Sequence, residues 1–158
     1  MKQTIIFAAA GMTIALGLVM GGKDLVSAEP NIELKPNDAE LVALGKTVYD
    51  ANCASCHGKN LEGQPNWRSR DADGNLPAPP HDRTGHTWHH ADKLLFELTK
   101  FGLQKFAGEN YKSKMPAYKD ILSDHEIIAS LSYIKSRWPA AIRERHDEIN
   151  RAANAKND

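Results

Sequence analysis

The chain has 158 residues, enough for one domain, with a hydrophobic fraction of 41% and an aromatic fraction of 7%. A core is possible, but not a rich one. The 20 basic and 20 acidic residues cancel, so no overall basic excess exists to neutralise nucleic-acid phosphates.

The first residues read as an export segment rather than as part of the fold. Lys2 precedes an uncharged, mostly apolar run from Gln3 to Gly22, and Val26-Ser27-Ala28 offers an A-x-A-like cleavage site. Residues 1–28 are therefore expected to be a secretory signal peptide. An uncleaved anchor is the rival reading, since an apolar run of about 18 residues can cross a bilayer. The Gly and Ala content and the cleavage site favour removal. Both readings put residues 29–158 outside the cytoplasm, and a membrane is involved only if residues 1–22 stay.

A first helix is predicted from about Asp38 to Ala51. Asn37 and Glu40 have capping-box spacing, and Leu41, Leu44 and Val48 recur at helical period. The helix leads straight into Cys53. From Gly58 to His90 no apolar period exists, and glycines and prolines are frequent. So long an irregular stretch in a compact domain is usually functional, and it needs something to pack against. A second helix is predicted at about 91–101, with Leu94, Leu95, Leu98 and Phe101 as its apolar face and Gly102 as its C-cap. Residues 103–122 read as loop. A last helix starts at Ser123, with Glu126 completing a capping box. Ile127, Leu131, Ile134 and Trp138 form its stripe, and Pro139 ends or kinks it. The domain is thus expected over 29–139. Residues 140–158 are expected to be a charged tail, at best a solvated, fraying helix.

The two cysteines of the chain fall in one five-residue stretch, C-A-S-C-H, Cys53 to His57. A disulfide here would close a tiny loop and constrain little of the unfolded chain. A tetrahedral zinc site lacks its second cysteine pair, and a thioredoxin-like dithiol would sit in a βαβ context. None of these explains the adjacent histidine. Covalent haem attachment does, because two thiols two residues apart add to the two vinyl groups on one porphyrin edge. The following His57 then lies under the iron.

With K-M-P-A-Y around Met115 and the closing S-D-H-E-I-I-A-S-L-S-Y-I-K-S-R-W-P, residues 37–139 resemble the class I, single-haem c-type cytochromes. The resemblance implies an all-α, cytochrome c-like fold, with three main helices and long loops around one haem c. It implies thioether bonds from Cys53 and Cys56, and axial iron ligation by His57 and Met115. A proline carbonyl, from Pro79 or Pro80, is expected to accept a hydrogen bond from the other ring nitrogen of His57. The first and last helices are expected to cross at Gly45 and Tyr49, near Ser130, Tyr133 and Ile134. The implied function is one-electron transfer in the periplasm by a carrier, not an enzyme. A haem enzyme or sensor with labile Met115, or a haem subunit of a larger oxidoreductase, remains the alternative.

Two further stretches stand out. His81, His86, His89 and His90 lie within ten residues, with Trp88 among them. They read as a second metal site, as an alternative sixth ligand to the haem iron, or as a polar loop in which Trp88 and one or more histidines contact haem propionates or cap the next helix. Lys100, Lys105, Lys112, Lys114 and Lys119 surround Met115 in sequence. They read as a solvated face or as a docking patch for an acidic redox partner.

Overall fold

A computed structural model describes residues 32–156, and all regular structure in them is helical. The expectation of an export segment over residues 1–28 falls outside the described residues. The elements are α1 (Ala39–Asn52), α2 (Ala54–His57), a 3-10 turn (Thr87–His89), α3 (Asp92–Phe101), α4 (Gln104–Ala107), α5 (Asp124–Ser136) and α6 (Ala140–Asn154).

Helix α1 is capped by Asp38, whose carboxylate accepts from the Leu41 amide at 3.0 Å. The cap therefore falls one residue after the expected Asn37. Asn37 is engaged elsewhere: its side-chain oxygen accepts from Arg143 of α6 at 3.3 Å. Helix α5 has the expected reciprocal capping box between Ser123 and Glu126. Its stripe is buried as expected, with Ile127, Leu131 and Ile134 in the core, and Trp138, just past the end of the helix at Ser136, is buried with them.

Helices α1 and α5 cross at close range. A Cβ on Gly45 would stand 1.9 Å from the Ala129 carbonyl oxygen and 3.0 Å from the Tyr133 Cβ. One turn on, the Tyr49 and Tyr133 rings lie 5.5 Å apart. The contact on α5 is thus the expected Tyr133 together with Ala129, one residue before the expected Ser130. Tyr49 and Ile127 are fully enclosed there. Burying side chains of this size stabilises by about 1.5–3 kcal/mol each.

Two expectations change. Phe101 is 38% exposed and Phe96 takes the core position on α3 instead. Phe101 is the last helical residue, and the Lys105 ammonium covers its ring at 3.9 Å. The tail beyond Pro139 is not a fraying helix on its own. Helix α6 docks on the domain through Ile142, which packs against the core, and through His146, which is fully buried. The His146 Nε2 lies 2.9 Å from the His90 carbonyl oxygen, and its ring meets Trp138 edge-on at 5.0 Å. The Asn150 side chain accepts from the Asp92 amide at 2.8 Å, and Asp147 pairs with the buried Lys135 at 2.6 Å.

Candidate functional site

Cys53 closes α1, and its amide donates to the Tyr49 carbonyl. The next turn, α2, carries Cys56 and His57 in the register that the helix imposes. Both thiols are free. Burial pushes the Cys53 thiol up to about 11. The neutral thiol is therefore its form near neutral pH.

His57 is 7% exposed, and its Nδ1 lies 2.8 Å from the Pro79 carbonyl oxygen. A carbonyl only accepts, so Nδ1 carries the proton and the Nε2 lone pair is left for a metal. Burial lowers the His57 pKa, against the raising effect of that same bond, which favours the neutral, ligating ring. Of the two candidate prolines, the geometry selects Pro79. The segment bearing it is held between two glycines. A Cβ on Gly63 would meet the Pro80 nitrogen at 2.4 Å, and one on Gly85 the Pro80 oxygen at 1.9 Å. Pro80 thus acts by packing, not by accepting from His57.

Met115 is half-buried and packs against the core cluster that also receives Cys53 and Trp88. Three residues on, the buried Tyr118 hydroxyl donates to the carbonyl of Asn52, the residue before Cys53, at 2.8 Å. Burial pushes the Tyr118 pKa to about 12, so the donor stays protonated. The methionine loop is in this way tied directly to the cysteine turn. The Trp88 indole Nε1 is buried with no partner among the protein atoms. An orphaned donor of this kind suits an anionic group of a bound cofactor.

The histidine cluster does not converge. Among the described residues no three His, Cys, Asp or Glu side chains are arranged to hold a metal ion. His81 stacks on His57, His86 stacks on Trp67 at 5.4 Å, and His89 lies against Trp88 at 3.7 Å. His90 meets His86 edge-on at 5.6 Å. The second-metal expectation therefore finds no support in the geometry. Sequence reasoning missed three contributors altogether: the stack of His81 on His57, the Tyr118 anchor, and the buried His146. Tyr118 closes the K-M-P-A-Y motif and His146 falls at helical spacing with Ile142 and Ile149, but neither contact is readable from spacing alone.

The lysines are also less free than expected. Lys100 pairs with Asp124 at 2.6 Å, Lys114 with Asp71 at 3.0 Å and Lys119 with Asp120 at 3.8 Å. Lys112 donates to the Asp73 carbonyl at 2.7 Å. Lys105 instead lies over the rings of Phe101 and Phe106.

Residues 42–138, more than half of the chain, match the family model described as Cytochrome c. The chain belongs to the cytochrome c family. Its fold is accordingly the all-α cytochrome c fold, its cofactor is covalently bound haem c, and its chemistry is haem-based electron transfer. Cys53 and Cys56 stand where the family carries its attachment cysteines. The chain is 34% identical over 95 residues to cytochrome c6 of Tetradesmus obliquus, covering 59% of this chain and 86% of that one. It is 54% identical over 35 residues to cytochrome c-555 of Prosthecochloris aestuarii, covering 18% and 35%. It is 34% identical over 61 residues to the cbb3-type cytochrome c oxidase subunit CcoP of Azospirillum brasilense. That match covers 32% of this chain and spans only 21% of the oxidase subunit. No solved structure gives a significant match. Among the described residues no helix is long and apolar enough to cross a membrane. Helix α6 lies wholly beyond the part of the chain that the cytochrome c model matches.

Proposed function

We propose that this cytochrome c is an exported one-electron carrier, with thioether attachment at Cys53 and Cys56 and axial ligation by His57 and Met115. The observation that carries the reading is the bond from His57 Nδ1 to the Pro79 carbonyl, which leaves Nε2 as the metal-binding nitrogen. Bound haem supplies a ferric/ferrous couple. The chain's own part is to hold both ligands still, so that little reorganises when the charge changes. Pro79 fixes the tautomer of His57, Tyr118 anchors the loop of Met115, and Trp88 offers its free indole N–H to a propionate. Methionine with histidine raises the potential relative to two histidines, which suits a carrier working toward an oxidising acceptor.

A carrier is favoured over a subunit of a larger complex, because the match to cytochrome c6 covers most of that protein, whereas the oxidase subunit is matched over a fifth of its length. The export reading of residues 1–28 places the carrier in the periplasm, and residues 1–22 are its membrane link only if they remain uncleaved. Docking is proposed at the rim of Phe101, Phe106 and Lys105, where apolar rings and a cation face solvent together. The partner that fits is a redox protein with an acidic rim.

The test is the absorption spectrum of ferric holoprotein beside a Met115→Ala variant. A low-spin spectrum with the weak red band of methionine-to-iron ligation, lost in the variant, is expected. A high-spin wild-type spectrum, or an unchanged variant, would overturn the ligand assignment and move the reading to catalysis or sensing.

A further inference from the structure

His81 is held from four directions, two through its ring and two through its backbone. Its ring stacks on that of His57, with centroids 3.9 Å apart and planes 22° from parallel. Its Nδ1 lies 2.7 Å from the Thr87 hydroxyl, and Thr87 is itself buried. Its carbonyl accepts from the Trp138 indole at 2.7 Å. Its amide donates to the Leu61 carbonyl at 2.8 Å.

Leu61 supplies a separate clue. It is 2% exposed and has φ of +70°, in the left-handed region that a bulky residue rarely enters. Such a conformation brings the side chain too close to the following carbonyl and is costly. Its carbonyl accepts from both His81 and Asp82. Backbone strain is therefore tolerated at the residue that aims His81. Strain of this kind gathers where the surrounding structure fixes a functional geometry.

We propose that His81 is a positioning residue for His57, whose stacked ring, tied to Thr87, sets the plane of the axial imidazole. The inference rests on the reading of His57 as an iron ligand. The bond to Pro79 fixes one edge of the His57 ring, but a ring held at one edge can still tilt about it. A second flat ring against its face removes that tilt. Partners outside the ligand set control the orientation and basicity of a metal-bound imidazole in this way. Thr87 and Leu61 place the stacking ring, and Trp138 links it to the end of α5.

The test uses holoprotein with His81→Leu and Thr87→Val. An Ile127→Val variant on α5 serves as a control for lost stability alone. Paramagnetic proton NMR of the ferric state reads the orientation of the imidazole through the pattern of haem methyl shifts. Equilibration with a redox mediator reads the ferric/ferrous balance. His81→Leu is expected to reorder the methyl shifts and to change the reduction equilibrium by about tenfold. Thr87→Val, which keeps the shape of the side chain, is expected to change both in the same direction by less. Ile127→Val should change neither. If wild-type protein shows imidazole ligation but both variants keep its shifts and equilibrium, His81 merely packs and the proposal is overturned. A wild-type ferric spectrum without imidazole ligation overturns the ligand reading, and this proposal with it. Should His81→Leu fail to fold with haem, Thr87→Val decides alone.

Discussion

The Pro79 carbonyl is a well-chosen acceptor for His57. A proline has a fixed φ and no amide, so its segment has few ways to shift. Gly63 and Gly85 pack against that segment more closely than any side chain allows. Gly85→Ala should therefore push Pro80 aside and carry the Pro79 carbonyl with it. We expect a loss of at least about 1–3 kcal/mol in denaturant unfolding of the holoprotein. A displaced midpoint potential should accompany it, and unchanged stability would show that the contact relaxes freely. At this scale the sequence was most legible where chemistry dictates spacing. Two thiols and a histidine must sit in C-x-x-C-H to serve one porphyrin, and Met115 is the sole methionine after Met20. The choice of Pro79 over Pro80 was not legible, because it depends on where a loop carbonyl points. Neither was the stack on His81, which joins residues far apart in sequence through a glycine-rich segment with no period to read.

Among the elements, α1, α3 and α5 were legible because each carries an apolar period with a cap. Helix α6 was hidden, because its inner face is narrow and contains a histidine among many charges. The residue at its centre has a measurable consequence. Burial lowers the His146 pKa below its ordinary 6.5, and this outweighs the raising effect of Asp92, whose Oδ1 is 3.5 Å away. Lys135 lowers it further, while Asp147 and the His90 carbonyl raise it. The folded protein thus prefers the neutral ring, whose Nδ1 has no partner to share a second proton. A folded-state pKa below the unfolded one means that the contribution of His146 is full above about pH 6.5. It is lost as pH falls below that value, until the folded ring itself titrates, with a slope of up to about 1.4 kcal/mol per pH unit. In His146→Gln, whose amide can still reach the His90 carbonyl, unfolding free energies measured from pH 7.5 down to about 5 should show a shallower decline than wild type. Parallel curves would mean that the ring is not a net proton acceptor on unfolding.

Taken as a whole molecule, the chain has no net formal charge, and the lysines that looked like a patch are mostly matched by nearby carboxylates. Partner steering should therefore come from few residues. Lys105→Glu is expected to slow reduction by an acidic redox partner several-fold at low salt, and to flatten the salt dependence of the rate. Lys114→Glu should do less, since Lys114 already sits beside Asp71. Equal effects of the two substitutions in stopped-flow kinetics would argue against the Phe101 rim as the docking face.

The close crossing of α1 and α5 also bears on how fast the molecule assembles. The two helices can meet only after the whole stretch from Cys53 to Ser123 has been drawn into a closed loop, and contacts that distant in sequence slow folding. Because that entropy rises only slowly with length, about 0.6 kcal/mol per doubling, the loops between them can lengthen at little kinetic cost. The meeting point itself is far less forgiving. With the Gly45 backbone against the Ala129 carbonyl, a methyl group there should block the encounter as well as weaken its product. Gly45→Ala is thus expected to lower the refolding rate in stopped-flow denaturant dilution, and not only to raise the unfolding rate. An altered unfolding limb alone would mean that the two helices lock together after the barrier has been crossed.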